Sequence, residues 1–166
     1  MLEVFFENFF KKEIDSEIKI IKKCPLFSKL TRKELSFVKS LLHSRIYVDG
    51  ETVFKSSVGT GMYIILKGEV SILKGNPNSE NTTLISTLKT GQFFGELALV
   101  DKEAYKNMFA QSAGNSKLLA FFQSDFSLIL DNHPKIGVKI LSQICEILSH
   151  RLKKAEHHIL QIDSNK

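Results

Sequence analysis

The sequence predicts a mainly β fold with helices at both ends, and three observations carry that prediction. Between residues 44 and 122, short runs rich in Val, Ile, Tyr and Phe alternate with polar, glycine-containing turns. On either side of that stretch, apolar residues instead recur every three or four positions, the period of a helix with one buried face. The 166 residues are 43% hydrophobic and 25% charged, ordinary proportions for one domain with a sizeable core. Many short strands with regular turn signals point to a β-sandwich or small barrel. The predicted domain spans 1–166, with N-terminal helices over 1–43, the barrel over 44–122 and C-terminal helices over 123–163. Internal repeats and low-complexity segments are absent.

The elements follow in order. Leu2, Phe5, Phe6, Phe9, Phe10, Ile14, Ile18 and Ile21 place one apolar face on a helix over the first 23 residues. That stripe must be buried, because exposed phenylalanine clusters are costly. It packs on its own chain or docks to a second protein; insertion into a membrane surface fits less well with a polar face carrying acids as well as bases. Pro25 stops the segment. Thr31-Arg-Lys-Glu34 is a capping-box pattern that starts a helix running to about Leu42.

The strand runs are Arg45–Val48, Met62–Leu66, Glu69–Leu73, Thr83–Thr87 and Lys117–Phe122. Asp49-Gly50, Lys67-Gly68, Gly75–Asn78 and Thr90-Gly91 separate them as turns, and Gly75 to Asn81 reads as a hairpin tip. Ser124–Leu130 is a short helix. His133-Pro134 breaks it, since the residue before proline is pushed out of the helical region. A long helix follows from about Lys135 to about Gln161.

The formal net charge of +5 permits contact with nucleic acid or an anionic surface without requiring it. The densest positive piece, Arg151-Leu-Lys153-Lys154, reads as a solvated helix face. Cys24 and Cys145 form no CxxC pair and are expected to be buried, reduced thiols; a disulfide is disfavoured in a cytosolic setting. No apolar run approaches the roughly 20 residues of a membrane-spanning helix, and the N-terminus lacks the basic start of a secretory signal. The expected location is the cytoplasm.

Enzyme readings find little support. A metal-dependent barrel needs several histidines on its strands, but only His43 borders the β region, and His133, His150, His157 and His158 lie in or beside the final helices. No nucleophile elbow, P-loop or dinucleotide fingerprint is present.

The segment Gly91-Gln-Phe-Phe-Gly95-Glu96-Leu97-Ala98-Leu99 carries the functional signal. Gly95 allows a sharp exit from a strand and close approach of backbone to a ligand. The first amides of the following turn, at Glu96, Leu97 and Ala98, would lack intrahelical partners and suit an anion. The segment resembles the phosphate-binding cassette of cyclic nucleotide-binding domains, as found in the catabolite activator protein and in the regulatory subunit of cyclic AMP-dependent protein kinase. Cys24-Pro-Leu-Phe27, Asp49-Gly-Glu-Thr-Val-Phe54 and Tyr63-Ile-Ile-Leu-Lys-Gly-Glu-Val70 match that family's other signatures, and the resemblance covers most of the chain.

The resemblance implies an antiparallel jelly-roll barrel (a double-stranded β-helix) with about eight short strands, and a cyclic nucleotide, cAMP or cGMP, or another small anion as ligand. It implies that Glu96 accepts a hydrogen bond from a ribose hydroxyl. The family's Pro-Arg pair, whose arginine clamps the phosphate, falls on Ala104-Tyr105. Tyr105 offers one neutral hydrogen bond where a guanidinium offers a charged fork. Lys106, next to it, could supply a point charge, although alternation along a strand turns it toward solvent. The following small residues are replaced by Lys106, Asn107 and Met108, so Met108 or Phe109 could fill part of the cavity, and the family's Gly-Asp falls on Ser56-Ser57. The candidate site residues are therefore Gly95, Glu96, Leu97, Ala98, Tyr105 and Lys106.

Two functions fit. One is a small-ligand sensor that passes its signal through the C-terminal helices; the other is a ligand-independent interaction or dimerisation module on a degenerate domain. Leu141, Ile144, Leu148, Ala155 and Ile162 form a stripe on the last helix. Its far end is expected either to build a homodimer or to fold back on the N-terminal helix, which is itself a second candidate contact. The catabolite activator family continues into a helix-turn-helix domain that this sequence does not include, so DNA binding in that manner is not expected of it.

Overall fold

The computed structural model describes residues 16–55, 61–77, 79, 81–101, 104, 105 and 107–163. The predicted Phe5–Phe10 stripe, Ser56-Ser57 and Lys106 lie outside the described residues. Residues 16–23 are helical (α1) and bury Ile21. A 3-10 turn at Pro25–Phe27 follows, with proline at its start, and buries Leu26 and Phe27. Helix α2, Arg32–Ser40, opens on both halves of the predicted capping box. The Glu34 amide donates to Thr31 Oγ1 at 3.3 Å, and the Thr31 amide donates to Glu34 Oε2 at 2.7 Å.

Strands β1 (His43–Tyr47), β2 (Thr52–Lys55), β3 (Gly61–Lys74), β4 (Thr83–Lys89), β5 (Phe93–Phe94) and β6 (Met108–Phe122) form one six-stranded sheet in which every pairing is antiparallel. The order is β1-β6-β3-β4, with β2 also on β6 and β5 also on β3. The jelly-roll-like architecture is as expected, and six of the predicted eight or so strands are found among the described residues. The predicted turn at Lys67-Gly68 instead lies inside β3, where the ladder to β6 is irregular: Leu66 is an extra residue on β3 between the pairs Ile65–Leu118 and Lys67–Lys117, and Gly68 alone stands against residues 114–116 of β6 before pairing resumes at Glu69–Ala113. An irregularity of this kind bends and twists a strand without ending it, so β3 takes in two of the predicted runs, Met62–Leu66 and Glu69–Leu73, as one long strand.

The core has two parts, divided by the sheet. Met62, Ile64 and Leu66 of β3, with Leu119 and Phe121 of β6, face the helices; Tyr63 and Ile65, with Leu118 and Ala120, face the barrel interior. Successive strand residues point to opposite faces, which accounts for the unbroken apolar run Met62–Leu66: both of its faces are buried.

Helix α3 (Gln123–Asn132) ends at His133, and α4 (Pro134–Asp163) begins on the proline, as the sequence predicts. Ile136, Ile140 and Ile144 of α4 recur at helical spacing and are buried against the helical core. Ile144 thus belongs to the core face rather than to a free stripe. Of the predicted stripe, Leu141 also packs on that core, Leu148 and Ala155 are exposed, and the side chain of Ile162 lies outside the described residues; Leu152, Ile159 and Leu160, which the stripe did not include, are exposed as well. Lys139 of α4 reaches Glu34 with 2.8 and 2.7 Å hydrogen bonds. That partner, with the Thr31 amide, holds the Glu34 carboxyl down at about 2.

The cysteine expectation holds in one half only. Both thiols are free, but Cys145 is exposed on α4 while Cys24 is buried. Burial pushes the Cys24 thiol up to about 12, which keeps it protonated and unreactive.

Candidate functional site

Strand β5 is short because its task is delivery. Tyr63 of β3 pairs with Phe94, and their rings stack with centroids 5.2 Å apart. The chain then leaves the sheet through Gly95, at φ 85°, into a single 3-10 turn, Glu96–Leu99. The turn is anchored by Ala98 and Leu99, exposed by only 3% and 2%. The predicted short helix is thus one turn, and its amides are less free than expected. The Ala98 amide donates to the Gly95 carbonyl at 3.0 Å.

Glu96 is completely buried, unusual for a carboxylate in a half-apolar setting. Nη1 of Arg151, from α4, forms an ion pair with its Oε1. Neither carboxylate oxygen receives a hydrogen bond of good alignment among the described residues. The contact is therefore one of charge, with acceptor capacity to spare. The Arg151 side chain remains 52% exposed.

Tyr105, which the resemblance sets at the family's clamp position, points its ring inward. It packs edge-on against Phe54, with centroids 5.8 Å apart at 84°, and lies against the barrel-interior core. Burial pushes its hydroxyl up to about 12. The Glu96 charge adds to the rise, while Leu97 and the Arg151 guanidinium oppose it. The phenol is thus a neutral group at any physiological pH.

Between these groups lies a cavity of about 230 Å³. Its apolar walls include Phe54, Ile72, Leu88, Phe94, Met108 and Phe109; its polar end is Gly95, Glu96, Tyr105 and Arg151. Ligand pockets usually run to roughly 300–1,000 Å³, so this one is small. Met108 and Phe109 line it, as the sequence predicts. Of the predicted site residues, Gly95, Glu96 and Tyr105 converge on the cavity, while Ala98 turns into the core and Leu97 is not among the lining residues.

Arg151 is the residue that sequence reasoning missed. It was read as part of a solvated basic face, and its neighbours in sequence carry no sign of the pocket. The one indirect signal is Glu96 itself: a buried carboxylate needs a cation or a shifted pKa. Among the described residues no group of three or more His, Cys, Asp or Glu side chains could hold a metal ion, and no helix is long and apolar enough to cross a membrane.

Comparison with known proteins gives a consistent picture. A family model described as the cyclic nucleotide-binding domain matches residues 44–133. The human cyclic nucleotide-gated channel beta-3 is 30% identical over 146 residues, 86% of this chain and 18% of that protein. The cAMP-dependent protein kinase regulatory subunit of Schizosaccharomyces pombe is 27% identical over 130 residues, 78% of this chain and 30% of that protein. This chain spans about a third or less of the length of these curated relatives. A solved cyclic nucleotide-binding domain from Methylobacillus flagellatus superposes with a TM-score of 0.70 at 21% identity, covering 90% of this chain and 83% of that one; at that identity the likeness speaks for the fold.

Proposed function

The chain belongs to the cyclic nucleotide-binding domain family, and from that premise we propose that it is a non-enzymatic regulatory or sensor module with an altered pocket. In this reading cyclic AMP and cyclic GMP bind weakly or not at all. The ligand class comes from relatives such as the cAMP-dependent kinase subunit. The reading rests above all on one observation: at the clamp position a tyrosine ring packs onto Phe54, where the family's arginine would reach for the phosphate. A hydrogen bond to a charged group contributes roughly 1.5–3 kcal/mol, about ten- to hundredfold in affinity, and a bidentate contact at least as much. The small cavity argues in the same direction.

Calorimetry with cyclic AMP and cyclic GMP tests this. The expected result is no strong heat at micromolar protein, and a sub-micromolar dissociation constant would refute the reading. Tyr105→Arg should raise affinity about ten- to hundredfold; no gain would assign the weakness to cavity volume.

A second observation favours a module that also assembles. On α4 beyond the core, Leu148, Leu152 and Ile159 are 36%, 61% and 59% exposed. With Ala155 they are spaced four, three and four apart, the seam of a coiled coil. We read this face as the contact of a homodimer, in which two copies of α4 bury the seam reciprocally about a two-fold axis. Two free cysteines fit the cytoplasmic setting of that reading.

A further inference from the structure

We infer that Arg151, carried in from α4, is the guanidinium that reads the anionic group of this pocket's ligand, in place of the arginine missing at position 105. The inference rests on the reading of the pocket just given, and adds to it the residue that confers what anion affinity there is.

Three observations converge. Among the described residues lining the cavity, Arg151 is the one cation and Glu96 the one anion. Arg151 lies beside Tyr105, the clamp position, so it brings a guanidinium to the same end of the cavity from a different element. It is also under-used. A guanidinium has five donors in a fixed fork; here it makes a charge contact with one carboxylate oxygen, and half of its surface remains in solvent.

Glu96 sets the rest of the ligand's chemistry. Ionised, it is acceptor-only, and both its oxygens are buried without an aligned donor. A ligand that carries a hydroxyl next to an anionic group completes both residues. Its hydroxyl donates to Glu96, and its anion takes donors of Arg151 that the carboxylate leaves idle. The apolar walls at Phe54 and Phe94 then receive a flat, weakly polar body. Because ligand anion and Glu96 compete for one guanidinium, affinity is modest. A simpler account gives Arg151 no role but to neutralise Glu96. The two accounts differ in the lysine variant: if Arg151 only neutralises, Arg151→Lys, which keeps a cation beside Glu96, leaves ligand affinity unchanged, whereas loss of the fork lowers it.

The test is calorimetry on the full chain, with cyclic AMP as probe up to low millimolar concentration, for the wild type, Arg151→Ala, Arg151→Lys, Tyr105→Arg and the Tyr105→Arg/Arg151→Ala double variant. Thermal melts verify that each is folded. Arg151→Ala should lose about ten- to hundredfold in affinity. Arg151→Lys keeps a charge beside Glu96 and drops the fork; it should lose less, and carries the test if the alanine variant does not fold. Arg151→Ala should matter less in the Tyr105→Arg background than in the wild type, because two guanidiniums on one anion are not additive. Wild-type affinity retained in Arg151→Lys overturns the inference. So does a wild type that gives no heat at millimolar cyclic AMP, an outcome that leaves the weak-binding reading standing. A sub-micromolar wild type instead overturns the weak-binding reading, and the Arg151 variants still decide the inference.

Discussion

Gly95→Ala should cost far more than Gly91→Ala, although the two glycines share a backbone conformation. Gly91 sits at φ 86° with open space around its missing side chain, and Gly95 at φ 85°. For an L-residue that left-handed conformation costs roughly 1–2 kcal/mol, and the term is common to both substitutions. At Gly95 a Cβ would also lie 2.5 Å from the Gly61 carbonyl oxygen and 3.2 Å from the Met62 Cα. Both obstacles are backbone of β3, buried in the core, so neither can rotate aside. Overpacking of that kind adds about 1–3 kcal/mol, which places Gly95→Ala at roughly 2–5 kcal/mol in total. For a domain of this size each kcal/mol lowers Tm by about 2–4 °C. The expected loss is therefore about 4–20 °C for Gly95→Ala and about 2–8 °C for Gly91→Ala. Thermal melts by circular dichroism, backed by urea midpoints, measure both. Equal losses would show that β3 gives way, and would refute the argument that the close approach of backbone at Gly95 fixes where Glu96 sits.

Two further outcomes follow from the packing of the helices. The Glu34 carboxyl is depressed in the folded state, from 4.5 to about 2, first by its bond to Lys139, so its contribution is present above about pH 4.5 and is lost as pH falls toward 2. Glu34→Gln should flatten the fall in urea midpoint between about pH 5 and about pH 3, and an unchanged slope would count against the Glu34–Lys139 link. Leu152→Asp with Ile159→Asp should give a monomer by light scattering where the wild type gives a dimer; a monomeric wild type at high micromolar concentration would refute the seam.

What was legible in the sequence was local. The capping box at Thr31 and Glu34 and the break at His133-Pro134 lie within a few residues of what they determine, and the structure reproduces both. Lys67-Gly68 misled because a glycine in a strand pattern serves a turn or a bulge equally well; the choice rests on the register with β6, a partner distant in the chain. Cys145 misled because its helix outruns the core, and a small apolar residue carries no mark of which face it takes. The site divides in the same way. Gly95 and Glu96 are adjacent and readable, as is the tyrosine at the clamp position. Arg151 reaches the pocket only because α3 and α4 pack back across the barrel, and no spacing rule encodes that path.

That path bears on how the module would signal. Helix α4 is held in three different ways along its length. Ile136, Ile140 and Ile144 fix its first turns to the helical core. Arg151, one to two turns on, touches the cavity through Glu96. Leu152 and Ile159 beyond it are exposed. The apolar anchor shares its core with Leu99 of the cassette turn and with Phe93 at the cavity wall, and neither offers a polar group to a ligand. Arg151 does, and its partner Glu96 is also the acceptor a ligand hydroxyl would use. On the proposed reading, occupancy of the pocket therefore acts on α4 at Arg151, between Leu148 and Leu152 of the seam that would join two copies. A ligand would shift the dimer equilibrium only by binding the two assembly states with different affinity, and a ligand that takes donors of Arg151 acts at the one polar link among the described residues between the pocket and that contact.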